Sequence, residues 1–170
     1  MKQLFAILFA LTISMSLSAT EQEADLLING GDTIYLKTFL LEKLELKFPP
    51  FGNIKATAPS TACWRGYKAV WRISDNKLYL EKITRCHSDT KDGEQNIFEL
   101  FQKNGLKFEA KDSMILADWC TQDFYKMNSP VAKYYKDKLY LYGGWNSKEK
   151  ENDVFLRIEK GCITKTQLKS

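Results

Sequence analysis

The chain has 170 residues, with 25 Lys+Arg against 21 Asp+Glu and a formal net charge of +4. Those charges are interspersed and form no Lys/Arg stripe, which argues against a nucleic-acid partner, since such recognition needs a concentrated basic footprint. Hydrophobic residues at 44% and aromatics at 13% are enough to bury one core, and the aromatic share leans toward β structure.

Met1, Lys2 and Gln3 precede an unbroken apolar run from Leu4 to Leu11, after which Ser14, Ser16 and Ser18 alternate with apolar residues. One basic residue, a short apolar stretch and a small-residue exit describe a secretory signal peptide over residues 1–19, cleaved near Ala19. The run falls short of the roughly 20 apolar residues a membrane span needs. No Cys stands at the cleavage point to carry a lipid, and no second apolar segment follows, so no stable membrane anchor is expected. Residues 20–170 then form a single β-rich domain, periplasmic or secreted.

Strand signals follow one another along that domain. Asp25 to Asn29, Gly30-Gly31 and Thr33 to Lys37 read as a hairpin in which glycine supplies the positive φ of the turn. Phe39 to Leu46 suits a short helical turn as well as an edge strand, and Pro49-Pro50 opens a loop running to residue 62. Tyr67 to Ile73 and Lys77 to Thr84 are the arms of the strongest hairpin, turning near Ser74-Asp75-Asn76. Asn96 to Gln102 carries Ile97, Phe98, Leu100 and Phe101 at near-helical spacing, with Asn96 as N-cap and Gly105 beyond the C-terminus. Lys107 to Ala110 and Met114 to Trp119 form a further hairpin around Lys111-Asp112, and Ala132 to Tyr135, Lys138 to Tyr142 and Val154 to Glu159 complete the set. The fold class is therefore mainly β: an antiparallel sheet of hairpins, closed as a barrel or stacked as a sandwich, with one short helix near 96–102.

Cys63, Cys86, Cys120 and Cys162 make an even count in an exported chain, which favours disulfides. Extending the arms of the 67–84 hairpin brings Cys63 opposite Cys86, leaving Cys120 to pair with Cys162. A metal site is not expected, because there is no C-x-x-C and His87 is the sole histidine. No cofactor motif occurs: G-x-S-x-G and G-x-x-x-x-G-K-[ST] are both absent. Sequence alone leaves paired carboxylates open, and Asp118, between Ala117 and Trp119, is the acid expected nearest buried surface, more as a turn residue than as a catalyst.

The stretch Cys63-Trp64-Arg65-Gly66-Tyr67 through Trp71 and Asp75 to Leu80 resembles a family of uncharacterised bacterial proteins sharing a W-R-G-Y…W-x-I-x-D-x-K-L-Y-L pattern. The likeness extends to 116–119 and 153–161 and implies a single domain without implying an activity. Within it, Trp64, Arg65 and Tyr67 are of the residue types that dominate binding hot spots. Arg65 equally suits a structural role, stacked on an aromatic or paired with a carboxylate. Trp145, after Gly143-Gly144 and before a charged loop, is a further binding candidate. Together these features predict an exported, non-catalytic protein-binding domain, with an immunity protein that neutralises a toxin as the leading form and a toxin or envelope protein as the partner. A β-barrel or sandwich holding a glycan or small apolar ligand is the alternative, and a hydrolase using unrecognised carboxylates the second.

Overall fold

The computed structural model describes residues 22–52, 60–87, 93–128, 138–144 and 153–168. The signal-peptide segment, the 132–135 strand and Trp145 lie outside the described residues. No helix among the described residues is long and apolar enough to cross a membrane.

Strands β1 (Asp25–Asn29) and β2 (Asp32–Leu36) form the first hairpin, and β3 (Tyr67–Ser74) and β4 (Lys77–Arg85) the second. Asp75 and Asn76 both take positive φ at the β3–β4 turn, a conformation that Asp and Asn accept at lower cost than most residues. The remaining strands are β5 (Glu94–Gln95), β6 (Ala110–Lys111), β7 (Met114–Leu116), β8 (Gln122–Lys126), β9 (Leu139–Gly143), β10 (Val154–Glu159) and β11 (Cys162–Thr166).

Eight of these strands close into a ring, in the order β4, β3, β1, β2, β9, β8, β10 and β11, with β11 returning to β4. The seam at that return is thin. It consists of the Cys162–Lys77 pairing, with Leu78 donating its N–H to the Gly161 carbonyl at 2.8 Å and Ile163 donating to Asn76 at 2.8 Å. Strands β5 and β7 add to β4 outside the ring, and β6 adds to β7.

The mainly β class and the short helix near 96–102 are as the sequence predicts, and closure is as a barrel. The sheet is mixed, however, because β1 pairs parallel with β3 and β2 parallel with β9. Neither pair is adjacent in sequence: β2 lies between β1 and β3, and β3 to β8 lie between β2 and β9. Hairpin signals report only on neighbours in sequence and are silent about such pairings.

Alternation along the strands fills the interior. Leu27 of β1, Ile34 and Leu36 of β2, Trp71 of β3, Leu78 and Leu80 of β4 and Leu156 and Ile158 of β10 are all buried in one cluster. Helix α1 (Ile97–Lys103) packs Ile97, Leu100 and Phe101 against the same core. Asn96 caps it as the sequence predicts, its Oδ1 accepting from the N–H groups of Phe98 at 3.1 Å and Glu99 at 3.2 Å. Phe101 contacts Trp119, and Trp119 meets Trp71 edge-on with centroids 6.2 Å apart, joining the helix to the barrel through aromatic rings. The ambiguous segment after β2 is a 3-10 turn, Leu40–Leu44, that buries Leu40 and Leu41.

A candidate binding end of the barrel

One end of the barrel gathers the candidate residues. Asp25 opens β1 opposite Leu36, the last residue of β2, and parallel β3 begins nearby at Tyr67. At this end β9 finishes at Gly143 and β8 starts at Gln122. The 3-10 turn after β2 and the Cys63–Tyr67 segment before β3 therefore share this rim.

The cysteine pairing at the rim is as expected for one pair and not for the other. Cys63 ends a short 3-10 turn (Thr61–Cys63) and bonds to Cys86, just beyond β4, with Cα atoms 6.5 Å apart. Cys120 and Cys162 are both free thiols, one buried and one exposed. Their backbones run close, since Gly161 donates its N–H to the Cys120 carbonyl at 2.9 Å. Their side chains nevertheless occupy opposite environments: Cys120 joins the core, while Cys162 lies on the solvent side of β11. Burial pushes the Cys120 thiol up to about 11.

Trp64, Arg65 and Tyr67 have three different fates. Trp64 is 50% exposed, with its backbone N–H given to Gln22 Oε1 at 3.2 Å. Arg65 is 1% exposed and Tyr67 is buried. The adjoining Gly66 takes φ +76°, which turns the chain from the rim into β3. For Arg65, stacking and carboxylate pairing occur together. Its guanidinium carbon stands 3.7 Å from the centroid of the Phe39 ring and 5.0 Å from that of Tyr67. Its Nη2 donates to Asp25 Oδ1 at 3.1 Å and to the Glu23 carbonyl at 3.2 Å.

Asp25 is the residue that sequence reading passed over. Its carboxylate is fully buried and also accepts from the Ala69 N–H at 3.1 Å, with Trp71 Nε1 3.5 Å away. Both oxygens thus face protein donors, which makes Asp25 an internal tie. Burial raises its pKa above the usual carboxylate value, outweighing the nearby Arg65. The available signal was an acidic residue in phase with Leu27 on the inward face of an apolar strand. Asp118, by contrast, is exposed in the turn that follows β7. That turn is closed by the Cys120 N–H on the Ala117 carbonyl at 2.9 Å, with Ala117 and Cys120 in the core and Asp118 turned to solvent.

A pocket of about 560 Å³ opens at this rim. Lys37, Thr38, Phe39, Glu42 and Lys43 line it, together with Gln122 and Gly144. Glu42 accepts the hydroxyl proton of Tyr67 through Oε1. Burial, followed by that bond to Glu42, raises the Tyr67 pKa, so the hydroxyl keeps its proton. Lys43 Nζ donates to Gln122 Oε1 at 2.6 Å, and Lys37 Nζ to the Gln22 carbonyl at 2.7 Å. Gly143 keeps the walls together, because a Cβ there would sit 2.7 Å from Gln122 Nε2 and 2.9 Å from Thr38 Oγ1.

No group of three or more His, Cys, Asp or Glu side chains suited to a metal ion occurs among the described residues. No protein-family model, no curated protein and no solved structure matches the chain.

Proposed function

We propose that this chain is an exported, non-catalytic binding protein that engages a protein partner through the rim carrying Trp64, with toxin neutralisation as its leading role. The observation that supports this reading is Trp64 itself, a large ring left half in solvent beside a disulfide while its sequence neighbours Arg65 and Tyr67 are locked into the barrel. An exposed aromatic on a rigid mount loses little conformational entropy on docking, which is the physical basis of tryptophan hot spots. The disulfide is consistent with an oxidising compartment.

The test uses the full chain expressed with its own N-terminal segment, tagged at the C-terminus and recovered oxidised. Stoichiometric capture of one partner by the wild type, lost in Trp64→Ala, supports the reading. Undiminished capture by Trp64→Ala removes the rim assignment. If the partner is a toxin, survival on challenge must depend on this chain.

A second reading, a site for a small ligand, is supported by the pocket at the same rim. Its volume falls within the roughly 300–1,000 Å³ range of small-molecule sites.

A further inference from the structure

The geometry points to the rim pocket as a binding site for a small organic acid with an aryl or similarly flat apolar body. This goes beyond recognition of a protein through Trp64 and does not depend on it.

Three cationic side chains surround the pocket. Lys37 and Lys43 line it directly, and Arg65 stands behind its Phe39 wall. Lys43 is held by neutral acceptors, Gln122 Oε1 and the Thr121 carbonyl at 3.4 Å, so its charge is oriented without being neutralised by them. Glu42 is the one acidic residue among the described residues lining the pocket, and the Tyr67 hydroxyl orients it as Gln122 orients Lys43. Behind Phe39, Arg65 is 1% exposed, and its Nε and Nη1 have no hydrogen-bond partner. Arg65 does not itself line the pocket, and its charge is met by Asp25 at 3.1 Å. Nη2 alone is matched to Asp25 and Glu23.

Lys43 therefore offers an anion a positively charged partner, and Phe39 offers a flat apolar surface in the same pocket. A carboxylate beside Lys43 would gain a charge-assisted hydrogen bond, while its ring would lie against Phe39. A neutral ligand of the same shape would leave the lysines as they are and gain only the apolar contact. The Gln122 amide and the Thr38 hydroxyl add polar points on either side that restrict orientation.

The probe is 3-phenylpropionate, titrated into the oxidised full chain and followed by saturation-transfer NMR, with 3-phenylpropanamide as the neutral isostere. Saturable binding of the acid at least tenfold tighter than the amide is expected, with Lys43→Met weakening the acid about tenfold and leaving the amide unchanged. Equal binding of acid and amide, no saturable binding of either, or no effect of Lys43→Met overturns the inference. Lys43→Gln, which keeps a polar side chain, serves as a second variant should Lys43→Met fail to fold. Trp64→Ala should leave probe binding intact. A blank partner capture with intact acid binding would then count against the protein-partner reading alone, and the reverse pattern against the pocket alone.

Discussion

The Arg65 guanidinium and the Asp25 carboxylate meet at 3.1 Å inside the barrel, both closed off from solvent. Each is the other's nearest compensation for burial, so neither can be removed alone without leaving an unpaired charge in the core. Arg65→Met should cost about 3–5 kcal/mol at neutral pH. Asp25 has a raised pKa in the folded state, and loss of Arg65 raises it further. A carboxyl so raised favours folding fully below its unfolded value, and that contribution is lost as pH rises through the folded pKa. The Arg65→Met deficit should therefore shrink on acidification. Urea unfolding of both proteins at pH 7 and pH 4 checks this, and a deficit under about 1 kcal/mol at pH 7 would contradict it.

The two free thiols should react in sequence. Exposed Cys162 should label in the native protein, whereas Cys120, buried and with its thiol pushed up to about 11, should label only after unfolding. Cys63 and Cys86 should label only after reduction. Opening that bridge, which spans 23 residues of sequence, should cost about 3 kcal/mol by the loop-entropy relation. Mass spectrometry after alkylation under each condition gives the count directly. Protection of Cys162 in the oxidised native protein would show that Cys120 and Cys162 pair after all.

On the outer face, Arg157 grips Asp123 with two contacts of 2.7 Å across β8 and β10. Hydrogen bonding to Arg157 holds the Asp123 carboxyl below its usual range. A depressed carboxyl contributes stability above its unfolded pKa and loses it as pH falls through the folded one. Asp123→Asn should therefore cost about 1 kcal/mol at pH 6, with the difference vanishing toward pH 2. Thermal melts of both proteins across that range measure it, and a pH-independent gap would exclude the pair as its source.

At Gly143, any side chain must displace Gln122 or Thr38. Gly143→Ala should destabilise the barrel by about 1–3 kcal/mol and widen the rim pocket. Chemical shifts of Gln122 and Thr38 report the displacement, and an unchanged spectrum would contradict it.

How much of this was legible follows from where each signal sits. The β3–β4 hairpin could be read because Trp71, Leu78 and Leu80 are strong inward anchors on either side of an Asp-Asn turn. The helix could be read because Asn96 and Gly105 bracket its apolar spacing. Strand β8 was missed since Gln122-Asp-Phe-Tyr-Lys has only Phe124 fully inward. Strand β11 was missed because Cys162 to Thr166 buries no residue completely. Both are staves of the ring, β8 held by β9 and β10, and β11 by its hairpin partner β10 and, through one pairing, by the distant β4. The site was half legible for the same reason. Trp64, Arg65 and Tyr67 stand out locally, whereas Asp25, Phe39, Glu42 and Gln122 gain meaning only when the barrel closes around them.

The thin return from β11 to β4 has a mechanical consequence. Its two hydrogen bonds would be outmatched by the long β3–β4 ladder under any deformation, so the ring should breach there first, with the C-terminal strand swinging out like a loosened stave. Amide protons of Leu78 and Ile163 would then exchange ahead of those on β3. Each such breach would bare two raw strand edges, which are sticky toward other copies, beside the already exposed Cys162.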